Sequence, residues 1–315
     1  MPDRAPHGPK PTDIARHAAG NTGIPYVWSY RADAPGPHVA LCALMHGNEI
    51  CGAYALNQLL SFRIRPHCGR LSYVFCNVEA YRRFDPANPN ASRYIDEDMN
   101  RVWDPATLDG RRRSTELARA RALRPLFDSA DYLLDLHSMQ AGGAPLILAG
   151  MAEKSVALAR RIRAPEVIVR DRGHAAGTRL RDYGAFADPA SPKAALLVEC
   201  GQHWEENAEE VATVSCYRFL AACGLLPADA GRQILDIAAP PQRVIEVTEA
   251  VTVASDDFRF AAPYCGLEVI PKAGTEIARD GGRTVLTPYD DCVLVMPSPQ
   301  TVRGHTAVRL GRYAP

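Results

Sequence analysis

Lysine is scarce in this chain. Only four of its 36 basic residues are lysines (Lys10, Lys154, Lys193 and Lys272), and the rest are arginine. Arginine is the better two-point binder of carboxylates, although a GC-rich genome produces the same bias and is the simpler cause. An excess of one charge sign is also missing, because 36 basic residues face 36 acidic ones and the formal net charge is zero. No field steers such a molecule toward nucleic acid or an anionic membrane, and neither is expected as a partner. The nine cysteines form no Cys-x-x-Cys pair, so a redox motif or a structural zinc of that type is excluded, and their odd number argues against a disulfide framework. Cys42 and Cys76 lie inside apolar runs and read as buried thiols. The first twenty residues are polar and proline-rich, with no apolar stretch that could act as a signal peptide or membrane span, and a cytoplasmic protein is expected.

What is present is an alternation of short apolar runs with amphipathic stretches, the pattern of an α/β domain with a largely parallel sheet. Strands are predicted in 38–45, 70–78, 131–137, 144–150, 165–171 and 193–201, and helices over 49–62, 114–128, 152–163 and 205–223. From about residue 236 the texture changes to short alternating strands punctuated by turns such as Asp280-Gly281, as in a small all-β unit. The length exceeds the size at which one hydrophobic core stops growing, so a large domain (1–235) and a smaller one (236–315) are expected. Ligands of α/β sheets gather beyond the carboxyl ends of strands. There the chain places His46, Asn77, His137 and Glu199.

Met45-His46-Gly47-Asn48-Glu49 comes directly after an apolar strand. A histidine and a glutamate three apart on a strand-to-helix turn can point at one metal ion, or they can simply cap the next helix. Asp135-Leu136-His137-Ser138 offers a third ligand at another strand end, with Asp135 on the same side of the strand and able to orient the imidazole. Three protein ligands leave a fourth position for water, the arrangement of a catalytic zinc. Glu199, in Val198-Glu199-Cys200-Gly201, is an acid ending an apolar strand. Such a carboxylate is ion-paired, reaches solvent, or serves as a general base beside a metal. The run from Ser92 to Arg101, SRYIDEDMNR, mixes Arg93 and Arg101 with three acids inside a long irregular loop. It reads either as solvated charge compensation or, because Tyr94, Ile95, Met99, Val102 and Trp103 could pack it down, as a loop whose guanidiniums must find partners.

Taken together, HGNE, SRYIDEDMNRVW, DLHS and VECG, in this order, resemble the succinylglutamate desuccinylase and aspartoacylase family, distant relatives of the zinc carboxypeptidases. The likeness extends over most of residues 39–225. It implies an α/β fold with a zinc-exopeptidase-like mixed sheet flanked by helices and a small C-terminal all-β domain. By the same likeness His46, Glu49 and His137 hold one Zn²⁺ per chain, and Glu199 is the general base. Arg93 polarises the scissile carbonyl, and Asn100 with Arg101 grips a substrate carboxylate. A further family arginine is matched best by Arg179, with Arg181 the alternative. The family's C-terminal tyrosine has no clear counterpart, and Tyr289 and His305 are nearby polar candidates. The implied partner is a small N-acyl amino acid, N-acetylaspartate-like or N-succinylglutamate-like, hydrolysed at its amide bond; the oligomeric state is left open, a homo-oligomer included. The rival readings are a zinc carboxypeptidase acting on peptides, with nearly the same residues, and a non-catalytic binding protein that keeps the fold.

Overall fold

The structure is a computed structural model, and it describes residues 10–174, 176–226 and 241–314. Its strands are β1 (Val27–Arg31), β2 (His38–Ala43), β3 (Arg70–Phe75), β4 (Tyr132–Met139), β5 (Leu146–Leu148), β6 (Val167–Arg170), β7 (Ala194–Gln202), β8 (Arg243–Thr252), β9 (Arg259–Phe260), β10 (Glu268–Ile270), β11 (Glu276–Asp280), β12 (Arg283–Leu286), β13 (Cys292–Val295) and β14 (Thr306–Tyr313). Its helices are α1 (Ile50–Ser61), α2 (Val78–Tyr81), α3 (Pro105–Asp109), α4 (Thr115–Ser129), α5 (Glu153–Ile162) and α6 (Asn207–Ala222). Each predicted strand and helix of the first 225 residues has its counterpart here. The edge strand β1 went unpredicted because VWSYR carries no continuous apolar run.

Strand β2 runs parallel to β3 on one side and β4 on the other, and β4 runs parallel to β7. All six residues of β2 are buried, as are seven of the eight in β4. Parallel strands covered on both faces read as unbroken apolar runs, which is why these were legible. Alternate side chains feed opposite faces: Leu41 and Ala43 pack under α1, α5 and α6, while Ala40 and Cys42 pack under α4. The sheet of the first part is largely parallel, as expected, and mixed in that β1 is antiparallel to β3 and β5 is antiparallel to β7.

The C-terminal segment is all-β, but most of it is not a separate sheet. Strand β8 pairs parallel with β6, and β14, β13 and β10 come next in antiparallel order, so one sheet of eleven strands runs through both parts. Only β12, β11 and β9 form a sheet of their own. The joint has a shared core in which Leu146, Leu148, Val167 and Leu197 pack against Ile245, Val293 and Val295. The expected boundary at 235/236 lies outside the described residues. All nine cysteines are free, and among the described residues no helix is long and apolar enough to cross a membrane.

Candidate active site

The carboxyl ends of β2, β4 and β7 converge on one point. After β2 the chain turns through Leu44, at φ 61°, and His46 to reach Glu49 just ahead of α1. Glu49 makes no side-chain cap to the helix, so the capping alternative fails. Its carboxylate instead bridges two histidines, with Oε1 2.8 Å from His46 Nδ1 and Oε2 2.8 Å from His137 Nδ1. Two glycines permit this closeness. A Cβ at Gly52 would lie 2.8 Å from that of Ala43 and 2.9 Å from that of Leu136, so glycine lets α1 settle onto β2 and β4. A Cβ at Gly47 would lie 2.4 Å from the Ser92 carbonyl oxygen, which is where the loop carrying Arg93 presses in. That loop is tied there by the Gly47 N–H, which donates to the Arg93 carbonyl at 3.0 Å.

The outer nitrogens of both histidines are held by carboxylates, His46 Nε2 by Asp98 at 2.8 Å and His137 Nε2 by Asp135 at 2.9 Å. Asp135 therefore stands where the sequence placed it, steadied by the Cys42 thiol, which donates to its Oδ1 at 3.2 Å. One potential ligand atom from each of His46, Glu49 and His137 falls in a group spanning at most 4.8 Å, and all three residues are buried. The donor set suits a divalent cation, which would replace the protons shared in the two Glu49 bridges while Asp98 and Asp135 fix the rings from behind. Burial works against the charge on Glu49, but His46 and His137 outweigh it and hold its pKa well below the carboxylate range. Burial likewise opposes protonation of His137, yet Asp135 and Glu49 raise its pKa well above the usual imidazole value.

Glu199 occupies the register position of β7 directly beside His137 of β4. Its Oε2 is buried without a hydrogen-bond partner. Burial raises its pKa to about 8, with Glu49 and Asp135 adding to the shift and His137 and Arg93 opposing it. Arg93 reaches the same point from the loop, its Nη1 donating to Glu49 Oε1 at 3.2 Å and its Nη2 to Asp98 Oδ2 at 3.3 Å.

The charged run around Arg93 is packed along part of its length, with Tyr94 and Asp96 left exposed. The buried Glu116 carboxylate accepts the backbone N–H groups of Ile95, Asp96 and Glu97 at 2.6, 3.1 and 3.3 Å and the Asn77 amide at 2.9 Å, while Met99 and Trp103 are fully buried. Sequence reasoning missed Glu116, since an acid in the first turn of a helix also reads as a partner of the helix dipole. It also missed the pairing of Asp98 with His46, 52 positions apart.

A cavity of about 840 Å³ opens over the donor cluster, walled by Arg93, Asn100, Arg101, Arg179 and Glu199 from the first part and by Arg309 from the last strand. Asn100 Oδ1 accepts the Leu180 N–H at 2.9 Å, joining the loop to the 178–182 segment. Arg101 donates from Nη1 to the Asn100 carbonyl at 2.7 Å. Arg179 is in the wall, but its guanidinium is engaged elsewhere: it grips Asp171 with both Nη atoms at 3.0 and 2.9 Å and Asp182 through Nε at 2.6 Å. Arg181 turns away to Asp182 and the Ala149 carbonyl. His305 is in the cavity wall, and Tyr289 instead hydrogen-bonds Thr248 at 2.6 Å beside the C-terminal core.

A family profile described as the succinylglutamate desuccinylase/aspartoacylase catalytic domain matches residues 35–213. The chain belongs to this family. An aspartoacylase of Xenopus tropicalis is 31% identical over 124 residues, 36% of this chain and 38% of that protein. The aligned stretch thus spans well under half of that relative's length. Among solved structures, a succinylglutamate desuccinylase of Vibrio parahaemolyticus superposes with a TM-score of 0.69 at 15% identity, covering 92% of this chain and 86% of the other. A succinylglutamate desuccinylase/aspartoacylase of Rhodobacter sphaeroides gives 0.63 at 18% identity, over 92% and 89%. At such identities the structures establish for this desuccinylase/aspartoacylase family member a shared fold alone.

Proposed function

We propose that this chain is a zinc-dependent amidohydrolase that removes a short acyl group from an N-acyl amino acid, releasing a carboxylate and a free amino acid. N-acetylaspartate-like and N-succinylglutamate-like compounds are the leading substrates. The observation that carries the reading is Glu199, a buried carboxylate with a raised pKa, set one strand from His137 at the edge of a His-Glu-His donor cluster. His46, Glu49 and His137 would hold one zinc, and three protein donors leave a fourth position, as catalytic sites do. Bound there, the ion supplies Lewis-acid activation of water and of the scissile carbonyl. Glu199, ionised once a cation stands beside it, takes the proton from the attacking water and delivers it to the departing nitrogen. Arg93, preorganised by Glu49 and Asp98, donates to the carbonyl oxygen as negative charge gathers there, and a fixed donor of this kind contributes about 3 kcal/mol. Asn100 and Arg101 hold a carboxylate of the amino-acid part. Arg179 shapes that end of the cavity through Asp171 and Asp182.

Metal analysis combined with a panel of N-acyl amino acids tests this reading. The purified protein should carry about one zinc per chain, lose hydrolysis on chelation and recover it when zinc is returned. Less than about half an equivalent of zinc, with no hydrolysis restored by added metal, rejects the proposal. Release of the last residue from a pentapeptide, assayed alongside, separates it from a peptide-cleaving carboxypeptidase.

A further inference from the structure

Five arginines line the cavity, and four of them have close partners within the protein. Arg93 bonds Glu49 and Asp98, Arg101 bonds the Asn100 carbonyl, Arg112 pairs with Glu97 at 2.5 Å, and Arg179 is saturated by Asp171 and Asp182. Arg309 differs. It projects from β14, where it stands opposite Ala250 on one side and Val295 on the other. It is only 7% exposed, and its buried Nε has no hydrogen-bond partner among the described residues. Its sole close charge contact is Nε to Asp171 Oδ2 at 3.5 Å, and that carboxylate is already held by both Nη atoms of Arg179.

A buried guanidinium N–H left without a hydrogen bond is costly unless something else supplies an acceptor. Burial disfavours the charge on both Arg101 and Arg309, and Arg179 adds to this at each, while Asp98 opposes it at Arg101 and Asp171, Glu199 and Asp182 oppose it at Arg309. His174, also in this wall, is driven down to about 3 by burial and then by Arg101, Arg309 and Arg179. The acids at this end are already engaged, Asp171 by Arg179 and Asp98 by His46 and Arg93, and the planar two-point geometry of a guanidinium suits an incoming carboxylate.

We propose that Arg309, carried in by the C-terminal strand, receives the side-chain carboxylate of the substrate's amino-acid part while Arg101 and Asn100 hold the other carboxylate. The inference rests on the N-acyl amino acid reading and narrows it: the chain selects acidic amino acids over their amides through a residue outside the four sequence motifs.

The test compares N-acetylaspartate with its near-isostere N-acetylasparagine in the zinc-loaded wild type, Arg309→Gln and Arg309→Lys. The wild type should prefer the acid by kcat/KM. In Arg309→Gln that preference should fall about tenfold or more, through KM rather than kcat and with zinc content unchanged. Arg309→Lys should keep part of it. Equal losses on both compounds, or an acid-to-amide ratio within about twofold of wild type, would show a merely structural role and overturn the proposal. Should Arg309→Gln not accumulate as folded protein, Arg309→Lys decides, since its KM must rise for the acid and not for the amide. If the wild type hydrolyses neither compound nor any other N-acyl amino acid of the panel, the deacylase reading fails. Calorimetric binding of the same two compounds to Glu199→Gln and to Glu199→Gln/Arg309→Gln then still decides the role of Arg309: weaker binding of the acid alone supports it, and no difference rejects it.

Discussion

Glu199, Arg179 and His38 show how burial assigns different work to charged and titratable side chains. Glu199 has an oxygen with no protein partner and a pKa raised to about 8, first by burial. Glu199→Gln keeps the shape and removes the base, so turnover should drop at least ~100-fold while zinc content stays the same. Arg179 is the opposite case. It is buried with every near donor committed to Asp171 and Asp182, so Arg179→Met removes the two-point partner of Asp171 and one of the two arginines on Asp182, and should lower the unfolding free energy by about 3–5 kcal/mol in denaturant titration. A variant of full stability with only a raised KM would return Arg179 to direct substrate contact. His38 lies far from the cavity, between the hydroxyls of Ser72 at 2.8 Å and Ser129 at 3.2 Å. Burial, and after it Arg70, pushes its pKa down to about 4. Because the unfolded histidine titrates near 6.5, the unfolded chain binds a proton that the folded one refuses. The stability is whole above that value and declines as pH falls toward 4, and His38 alone should remove roughly 2 kcal/mol between pH 7 and pH 5. Unfolding of His38→Asn at the two pH values should show a smaller difference than wild type.

At the level of elements, the site is a meeting of three rigid strand ends with one packed loop. The strand ends were legible because β2, β4 and β7 are buried on both faces and leave apolar runs that stop at His46, His137 and Glu199. The loop was legible only in composition. Its order depends on Glu116, which gathers three backbone N–H groups from 19 to 21 positions upstream, and no local rule announces such a contact. Asp98 was visible as one acid in a mixed run, but its pairing with His46 exists only once the loop is pressed against Gly47. Arg309 had no motif to mark it, since a lone arginine in a β-strand reads as surface. Glu116→Ala should therefore act on the loop. Stability should fall by about 1–3 kcal/mol as the buried N–H groups lose their acceptor. Hydrolysis should fall with it, because Arg93 and Asp98 are displaced, while His46, Glu49 and His137 still bind zinc. Loss of zinc together with activity would mean that the loop also supports the ligands.

Across the whole molecule, the sequence suggested two units, and from β8 onward the strands are joined by no helix. The texture could not reveal that β8 would pair with β6 and that β8, β14, β13 and β10 would complete the sheet begun by β1 to β7. Calorimetry should accordingly show one cooperative transition rather than two. A chain ending at residue 226 should fail to fold, since it bares the β6 edge and strips Ile245, Val293 and Val295 from their shared core. A cooperative melt of that fragment would show that the first part stands alone.

The β6–β8 ladder also ties the two parts of the molecule together. One wall of the cavity belongs to the strands beyond β8, and a hydrogen-bonded strand pair is a weld where other two-part enzymes have a hinge. Swinging the two parts apart would break this ladder. Exposed Tyr94 of the first part and exposed Val302 of the last both line the cavity.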